Sequence, residues 1–371
     1  MQLALRPRKG QHLGWGEGGY SLTSLGDGLL FLAPFLLVYA LFMLAPVLQA
    51  VYISGFKWDL LGFDQKFIGF GNYIRMFGGT GIVWSVDYAW PIRLLVVLAG
   101  VGIAYVLWTG RASRVGAALT LTTAGAVGVV LGFHPSPDGS WNDPSFWISL
   151  QNTIEFTLLS TPLLVGLGLA LALLVHGSQK KALGFYRAIF FLPYVLPVSA
   201  VTLVWSYLLN PDRGLIAGFL AWFGAHGINF LSDPNLAMPS IVATSVWWGV
   251  GFTLVLFLAG LQDIEPNLYE AASLDGAGYW RRFQHVTLPG LRHVTVLVAV
   301  TQLIASFQIF GQVYIMTRGG PGSATIVFIQ QIYEAGFKNY QLGYAAALSV
   351  VLFLVMAGVS AIQFRLIGRD S

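Results

Sequence analysis

Apolar residues in this chain come in long unbroken runs. Eight of them approach or exceed the roughly 20 residues that a helix needs to cross the hydrocarbon core of a bilayer. They cover 28–52, 92–109, 115–133, 151–176, 186–209, 239–262, 291–316 and 343–367. The second and third are short and rich in glycine. A helix satisfies its own backbone hydrogen bonds, which lipid cannot do for it, and none of the runs alternates as a barrel strand does. The pattern predicts an all-α polytopic membrane protein of about 8 transmembrane helices. The first run begins near Gly28 and has no small-residue cleavage pattern behind it, so it reads as a span and not as a removed signal.

The polar segments between the runs set the orientation. With the N-terminus inside, the inner segments hold Arg6, Arg8, Lys9, Arg111, Arg114, Lys180, Lys181, Arg187, Arg281, Arg282, Arg292, Arg365 and Arg369. The outer ones hold Lys57, Lys66, Arg75, Arg93, Arg213, Arg318 and Lys338. That is 13 against 7 of the 20 basic residues, and cytoplasmic loops carry the excess. An even number of spans places both termini in the cytoplasm. Trp141, Trp147, Trp222 and Tyr340 fall where interfacial aromatics are expected.

Composition supports lipid as the solvent. Only 10% of the 371 residues are charged and 56% are hydrophobic, against about 25% charged in a soluble domain. The 44 glycines suit close helix approach in a membrane. The absence of cysteine excludes disulfides and thiolate metal sites. The net charge of +4 gives no reason to invoke nucleic acid.

Several chemistries are missing. There is no G-x-x-x-x-G-K-[ST] phosphate loop, so the chain is not expected to hydrolyse ATP. No His-Glu-x-x-His pattern occurs, and the 6 histidines lack metal-ligand spacing. Glu155 is the one carboxylate clearly inside a span. Ion-coupled carriers keep buried ionisable groups along their path, so this poverty argues against secondary transport and against an acid–base membrane enzyme. Energy for any transport is therefore expected from a partner.

The most informative polar stretch is 263–290. Pro266 suits a first helical turn, residues to Leu274 form helix readily, and Gly276 and Gly278 offer a stop and a turn. A second short helix is expected from about Tyr279 to His285, with Pro289 turning Leu288 away from helix. Tyr269, Leu274, Trp280 and Phe283 are bulky apolar groups in a loop that lipid does not cover, which suits a protein groove.

Glu270-Ala271-Ala272, three residues, Gly276, nine residues, Val286, one residue and Leu288-Pro289 together resemble the EAA loop of ABC importer permeases. Val286 stands where isoleucine is usual. Further likeness to the carbohydrate-uptake, maltose-type group lies in several stretches. They are Phe70-Gly71-Asn72-Tyr73, Asp143-Pro144-Ser145-Phe146-Trp147, Gln151-Asn152-Thr153, the run Arg187 to Pro197, Asn210-Pro211-Asp212-Arg213-Gly214 and the Gly-Gly-Pro stretch Thr317 to Thr325. The resemblance covers about 28–76 and 142–367 and implies a type I importer core of six spans. In it, Glu270, Ala271, Ala272, Gly276, Leu288 and Pro289 would couple the subunit to a partner ATPase.

The same resemblance implies the rest of the assembly: a second permease, an ATPase subunit dimer carrying ATP and Mg, an extracytoplasmic solute-binding protein and a small-molecule carbohydrate cargo. It places the chain in the cell (inner, cytoplasmic) membrane, with no cofactor of its own. The organisation expected is a cytoplasmic segment 1–27, a first core span with its outer loop over 28–76, an inserted transmembrane hairpin over 77–141 and the main core over 142–371. The hairpin departs from the family pattern and reads as a peripheral, lipid-facing addition.

A sugar ring presents apolar faces and hydroxyls, so aromatic and amide side chains within spans are candidates for its path. Thr244, Trp247 and Trp248, near Gly251, fall at helical spacing, as do Gln302 and Ser306. Thr301, Ala305, Gln308 and Gln312 make an adjacent stripe. The same groups also serve as interhelical glue in membranes. Two other readings stand beside a sugar importer. One is the same machine carrying glycerol-phosphate or another polyol. The other is a polytopic enzyme acting on lipid-linked sugars, which would need an acid or histidine cluster at one membrane face. The clustered acids are Asp263, Glu265, Glu270 and Asp275, all inside the 263–290 loop.

Overall fold

The computed structural model describes residues 22–62, 65–85, 87, 88, 90–109, 121, 124, 125, 128, 129, 132–177, 180–224 and 227–367. It divides into two units, 1–50 and 51–371. The first holds α1 (Leu22–Tyr39), a π-helical turn at Ala40–Leu44 and the start of α2 (Ala45–Ser54), whose last four residues belong to the second.

The second unit continues with β1 (Phe56–Trp58) paired antiparallel to β2 (Gln65–Phe67), then α3 (Gly71–Phe77). Next come β3 (Gly79–Trp84), α4 (Trp90–Thr109) and β4 (Phe133–Trp141). β3 and β4 pair antiparallel from Gly79–Trp141 to Trp84–Phe133, with an irregularity between Thr80 and Ile82. These small sheets correct the expectation of helices and loops alone. Each is too short to show a period, and β3 meets a strand some fifty residues away in sequence. At their base, Asn142 N donates to Gly78 O at 3.0 Å, so the segment 79–141 leaves and rejoins the chain at one point. Most of the expected span 115–133 lies outside the described residues.

The membrane core is built on α5 (Pro144–His176) and α9 (Pro234–Gln262), which pack along each other. Both start by the same device. Asp143 accepts from Ser145 N at 3.0 Å and Phe146 N at 3.4 Å, Asp233 accepts from Asn235 N at 2.8 Å, and proline follows each cap. Between them run α6 (Lys180–Val195), α7 (Val198–Leu208) and α8 (Leu215–Ala221). The expected single span 186–209 is broken: the two apolar helices Leu183–Val195 and Val198–Leu208 meet at 93°. Pro197 has no N–H to continue the ladder, and Leu196 N closes a turn on Pro193 O at 3.1 Å.

After α9 come α10 (Pro266–Leu274), α11 (Tyr279–Arg282), a π-helical turn at Phe283–Thr287, α12 (Leu288–Gly290) and α13 (Arg292–Phe307). The chain ends with α14 (Gly311–Met316), α15 (Phe328–Tyr333), a π turn at Glu334–Lys338 and α16 (Leu342–Ile367). Among the described residues, Leu30–Ser54, Pro144–His176, Pro234–Gln262 and Arg292–Met316 are long and apolar enough to cross a bilayer. The bent pair adds a fifth if its two arms are taken as one span, and Trp90–Gly102 and Leu342–Gly358 are shorter apolar helices.

Polar and small residues hold the core helices together, as expected where lipid removes any hydrophobic drive between them. Thr253 Oγ1 donates to Leu164 O at 3.0 Å. Ser306 Oγ lies 3.1 Å from both Ser160 Oγ and Thr161 Oγ1. Gly251 lets α9 touch α6, since a Cβ there would stand 1.8 Å from Phe190 O. Apolar clusters fill the rest: Phe156, Ile241, Val313 and Met316 in one, and Phe146, Phe328, Tyr344 and Leu348 near the start of α5 in another. A third, of Phe257, Leu261, Ile264 and Leu291, lies beside the 263–290 loop.

Candidate functional site

The loop 263–290 folds into a two-helix elbow whose turn explains its spacing. α10 ends in a paired closure: Gly276 N donates to Ser273 O at 3.1 Å and Ala277 N to Ala272 O at 2.9 Å. This arrangement places the residue after the cap in the left-handed region, and Gly276 has φ of +74°. Glu270-Ala271-Ala272 is thus the last full turn before the elbow, with small residues beneath it and the Glu270 carboxylate exposed.

The second arm departs from expectation. α11 stops at Arg282, and Phe283–Thr287 is a π turn in which Leu288 N reaches back to Phe283 O. Pro289 therefore enters the first turn of α12 instead of ending a helix, because the wider π register supplies Leu288 with its acceptor before the proline interrupts the ladder. Leu288 and Pro289 are both exposed, so they bear on the elbow's surface as well as on its geometry.

The elbow is anchored on one side and open on the other. Tyr269 Oη is hydrogen-bonded to Thr287 Oγ1 at 3.0 Å, and Arg282 donates to Ser273 Oγ at 3.1 Å. Ile264 packs against the place where a Gly290 Cβ would sit, and Tyr269 and Val286 pack on the Phe257–Leu291 cluster. Leu268, Tyr279 and Trp280 face outward, and Leu274 is 89% exposed. Trp280 stacks on Phe283 with ring centres 5.4 Å apart, which stiffens that face. A rigid elbow with a bulky apolar face and a carboxylate beside it is chemically suited to a groove on another protein.

Burial divides the six candidate path residues. Thr244 is buried and spends its hydroxyl on Ser240 O at 3.0 Å. Ser306 joins α13 to α5 through the hydroxyls named above, and Gln302 is buried one turn before it. Trp247 is exposed and meets Trp205 edge-on at 5.6 Å. Trp248 is half-buried, donates from Nε1 to Leu196 O at 3.2 Å, and lies 5.4 Å from the Tyr194 ring. Gln308 is exposed at the end of α13. Trp247, Trp248 and Tyr194 thus gather beside the 93° break, whereas Thr244 and Ser306 sit inside the helix packing.

A second organised element is the Gly-Gly-Pro stretch. Arg318 has φ of +53° and Gly319 of +86°, and the Gly320–Pro321 peptide is cis. Gln330 Nε2 donates to Arg318 O at 2.9 Å, Thr325 Oγ1 to Gly320 O at 2.8 Å, and Asn152 Nδ2 to both Ser323 O and Ile326 O at 2.9 Å. Thr153 Oγ1 accepts from Phe328 N at 2.9 Å. Sequence reasoning gave no role to Asn152, Thr153 or Gln330. Their signal was a polar side chain inside an otherwise apolar helix, which is costly there without a partner. Among the described residues no group of His, Asp and Glu could hold a metal ion.

Comparison with known proteins places this geometry. The model of the family described as "Binding-protein-dependent transport system inner membrane component" matches residues 158–369. The sulfoquinovosyl glycerol transport system permease protein of Agrobacterium fabrum is 31% identical over 349 residues, covering 92% of each chain. The sn-glycerol-3-phosphate transport system permease protein of the same organism is 36% identical, over 62% of this chain and 78% of its own. The fold is similar to that of a bacterial ABC transporter involved in import of the acidic polysaccharide alginate, with a TM-score of 0.55, 23% identity, and coverage of 60% of this chain and 80% of that one.

Proposed function

This chain belongs to the family of binding-protein-dependent transport system inner membrane components, and on that premise we propose that it is one permease subunit of an ATP-driven importer for a sugar or oligosaccharide. It is a multi-pass membrane protein and a transport subunit, not an enzyme. The observation that carries the coupling role is the elbow at 263–290: anchored through Tyr269, Thr287 and Ile264, and open at Glu270, Leu274, Tyr279 and Trp280. An ATPase subunit would seat this elbow in a groove. A second permease would complete the pathway, and an extracytoplasmic binding protein would deliver cargo to it. ATP and Mg would reside on the ATPase. Its closure on ATP would push the elbow and turn the cavity outward, and hydrolysis would reset it. Termini and elbow lie on the cytoplasmic side in this reading, in line with the 13-to-7 division of basic residues.

The relative named for sulfoquinovosyl glycerol supports a glycosidic cargo, and aromatic faces at Trp247 and Trp248 suit a sugar ring. The relative named for glycerol-3-phosphate supports the second reading, a phosphorylated polyol. Purification of the tagged chain from native membranes in mild detergent, with mass spectrometry of what accompanies it, tests the assembly. An ATPase, a second permease and a binding protein are expected. Calorimetry of the recovered binding protein against disaccharides and against sn-glycerol-3-phosphate then separates the two cargoes. Recovery of the chain alone, beside an intact control importer, would overturn the proposal.

A further inference from the structure

The segment that follows α7 is too apolar for the place it occupies. Leu215–Phe223 reads Leu-Ile-Ala-Gly-Phe-Leu-Ala-Trp-Phe, with no charged side chain and a single polar side-chain atom, the Trp222 indole nitrogen. α8 takes up most of it, and Ile216 turns inward onto the cluster of Phe156, Leu209 and Ile241. The opposite side is also apolar. Leu215, Phe219, Trp222 and Phe223 recur at helical spacing, and all four are exposed, Trp222 at 84%. Phe219 lies 6.1 Å from Trp222 and 5.2 Å from Phe223 between ring centres, so the three rings form one patch.

Position narrows what can cover that patch. Six residues, 209–214, connect the end of α7 to Leu215. They hold α8 within about 20 Å of the point where the chain leaves its span. Asn210 Oδ1 accepts from Asp212 N and Arg213 N at 3.0 Å each, which turns the chain sharply and leaves both charged side chains exposed. A groove of about 610 Å³ runs from Pro211, Asp212 and Arg213 to Leu215, Phe219 and Trp222. Charge stands at one end and rings at the other, as in a phospholipid. A protein partner would require a polar rim and several hydrogen bonds, which this nine-residue face does not offer. A bilayer surface requires an apolar face, an aromatic at headgroup depth and a charged flank.

We propose that α8 and the turn before it form a membrane-surface anchor, with the Leu215–Phe223 face seated in the leaflet and a phospholipid headgroup held at Arg213 and Asp212. This rests on the chain being a membrane protein and not on its cargo. The absence of cysteine makes the test direct. Trp222→Cys, Leu215→Cys, Ser232→Cys and Leu36→Cys are each nitroxide-labelled in the full chain, with its accompanying subunits, in nanodiscs of phosphatidylcholine and phosphatidylglycerol. Leu36 reports the first span and Ser232 the aqueous loop. Collision with oxygen relative to a water-soluble nickel chelate should be several-fold higher at 222 and 215 than at 232. Preference for nickel at 222 and 215 would place the face in water, and shielding from both reagents would place a protein on it. Either result overturns the anchor, whereas failure at Leu36 would instead count against the membrane reading.

Discussion

Gly276 carries the elbow because its φ of +74° is open to glycine and costly to a side chain with a Cβ. Gly276→Val should strain the turn by about 1–2 kcal/mol and reduce ATPase co-purification, with membrane insertion unchanged on fractionation. Glu270→Ala removes an exposed carboxylate and should leave thermal stability within about 0.5 kcal/mol. ATPase capture and transport are expected to fall sharply, and full transport by this variant would remove the coupling role. The turn at Gly276 was readable from sequence, since a glycine after a run of helix formers has a local meaning. The division among the path residues was not. Thr244 and Trp247 are three residues apart on one helix, and only the packing of α5 against α9 decides that the first is buried and the second exposed. Thr244→Val should therefore leave cargo transport unchanged, because the hydroxyl already serves Ser240 O. Trp247→Ala should raise the cargo concentration needed for half-maximal uptake.

Elements were legible where the cause was local. Long apolar runs announced the bodies of α5 and α9, whereas the Asp143-Pro144 and Asp233-Pro234 caps start both helices several residues before the expected 151 and 239, because their first turns are partly polar. The π turn at Phe283–Thr287 was not legible, because a proline two residues later reads equally well as a helix stop. The 93° corner was half-written in Pro193 and Pro197, since proline in a helix pattern signals either a kink or an end, and here Pro197 gives an end. The Gly-Gly-Pro stretch owes its shape to partners that sequence does not pair. Asn152 lies 171 residues from Ser323. Asn152→Ala strands the Ser323 and Ile326 carbonyls in a part-buried site, at a cost of about 1–3 kcal/mol. Faster proteolysis within 317–327, compared with wild type, is the expected readout.

At the scale of the whole chain, the segment between Gly78 and Asn142 leaves and rejoins the chain side by side through β3 and β4, and among the described residues it also meets α5 through α4 and through the stacking of Trp141 on Trp147. Replacing 79–141 with a short glycine-serine link should preserve folding, assembly and uptake, and loss of uptake by an assembled variant would assign the segment a transport role. Orientation is testable in intact cells: Ser232→Cys should react with a membrane-impermeant maleimide and Ser273→Cys should not. The corner at Leu196–Pro197 has a consequence for the bilayer around it. Val198 and Ser199, the first residues of α7, lack a capping side chain, and their amides find no acceptor among the described residues before Ala200 bonds Pro197 O. Hydrocarbon cannot meet that demand. Water is the expected partner at this corner, and deuterium from the solvent should enter these two amides far sooner than those of α9.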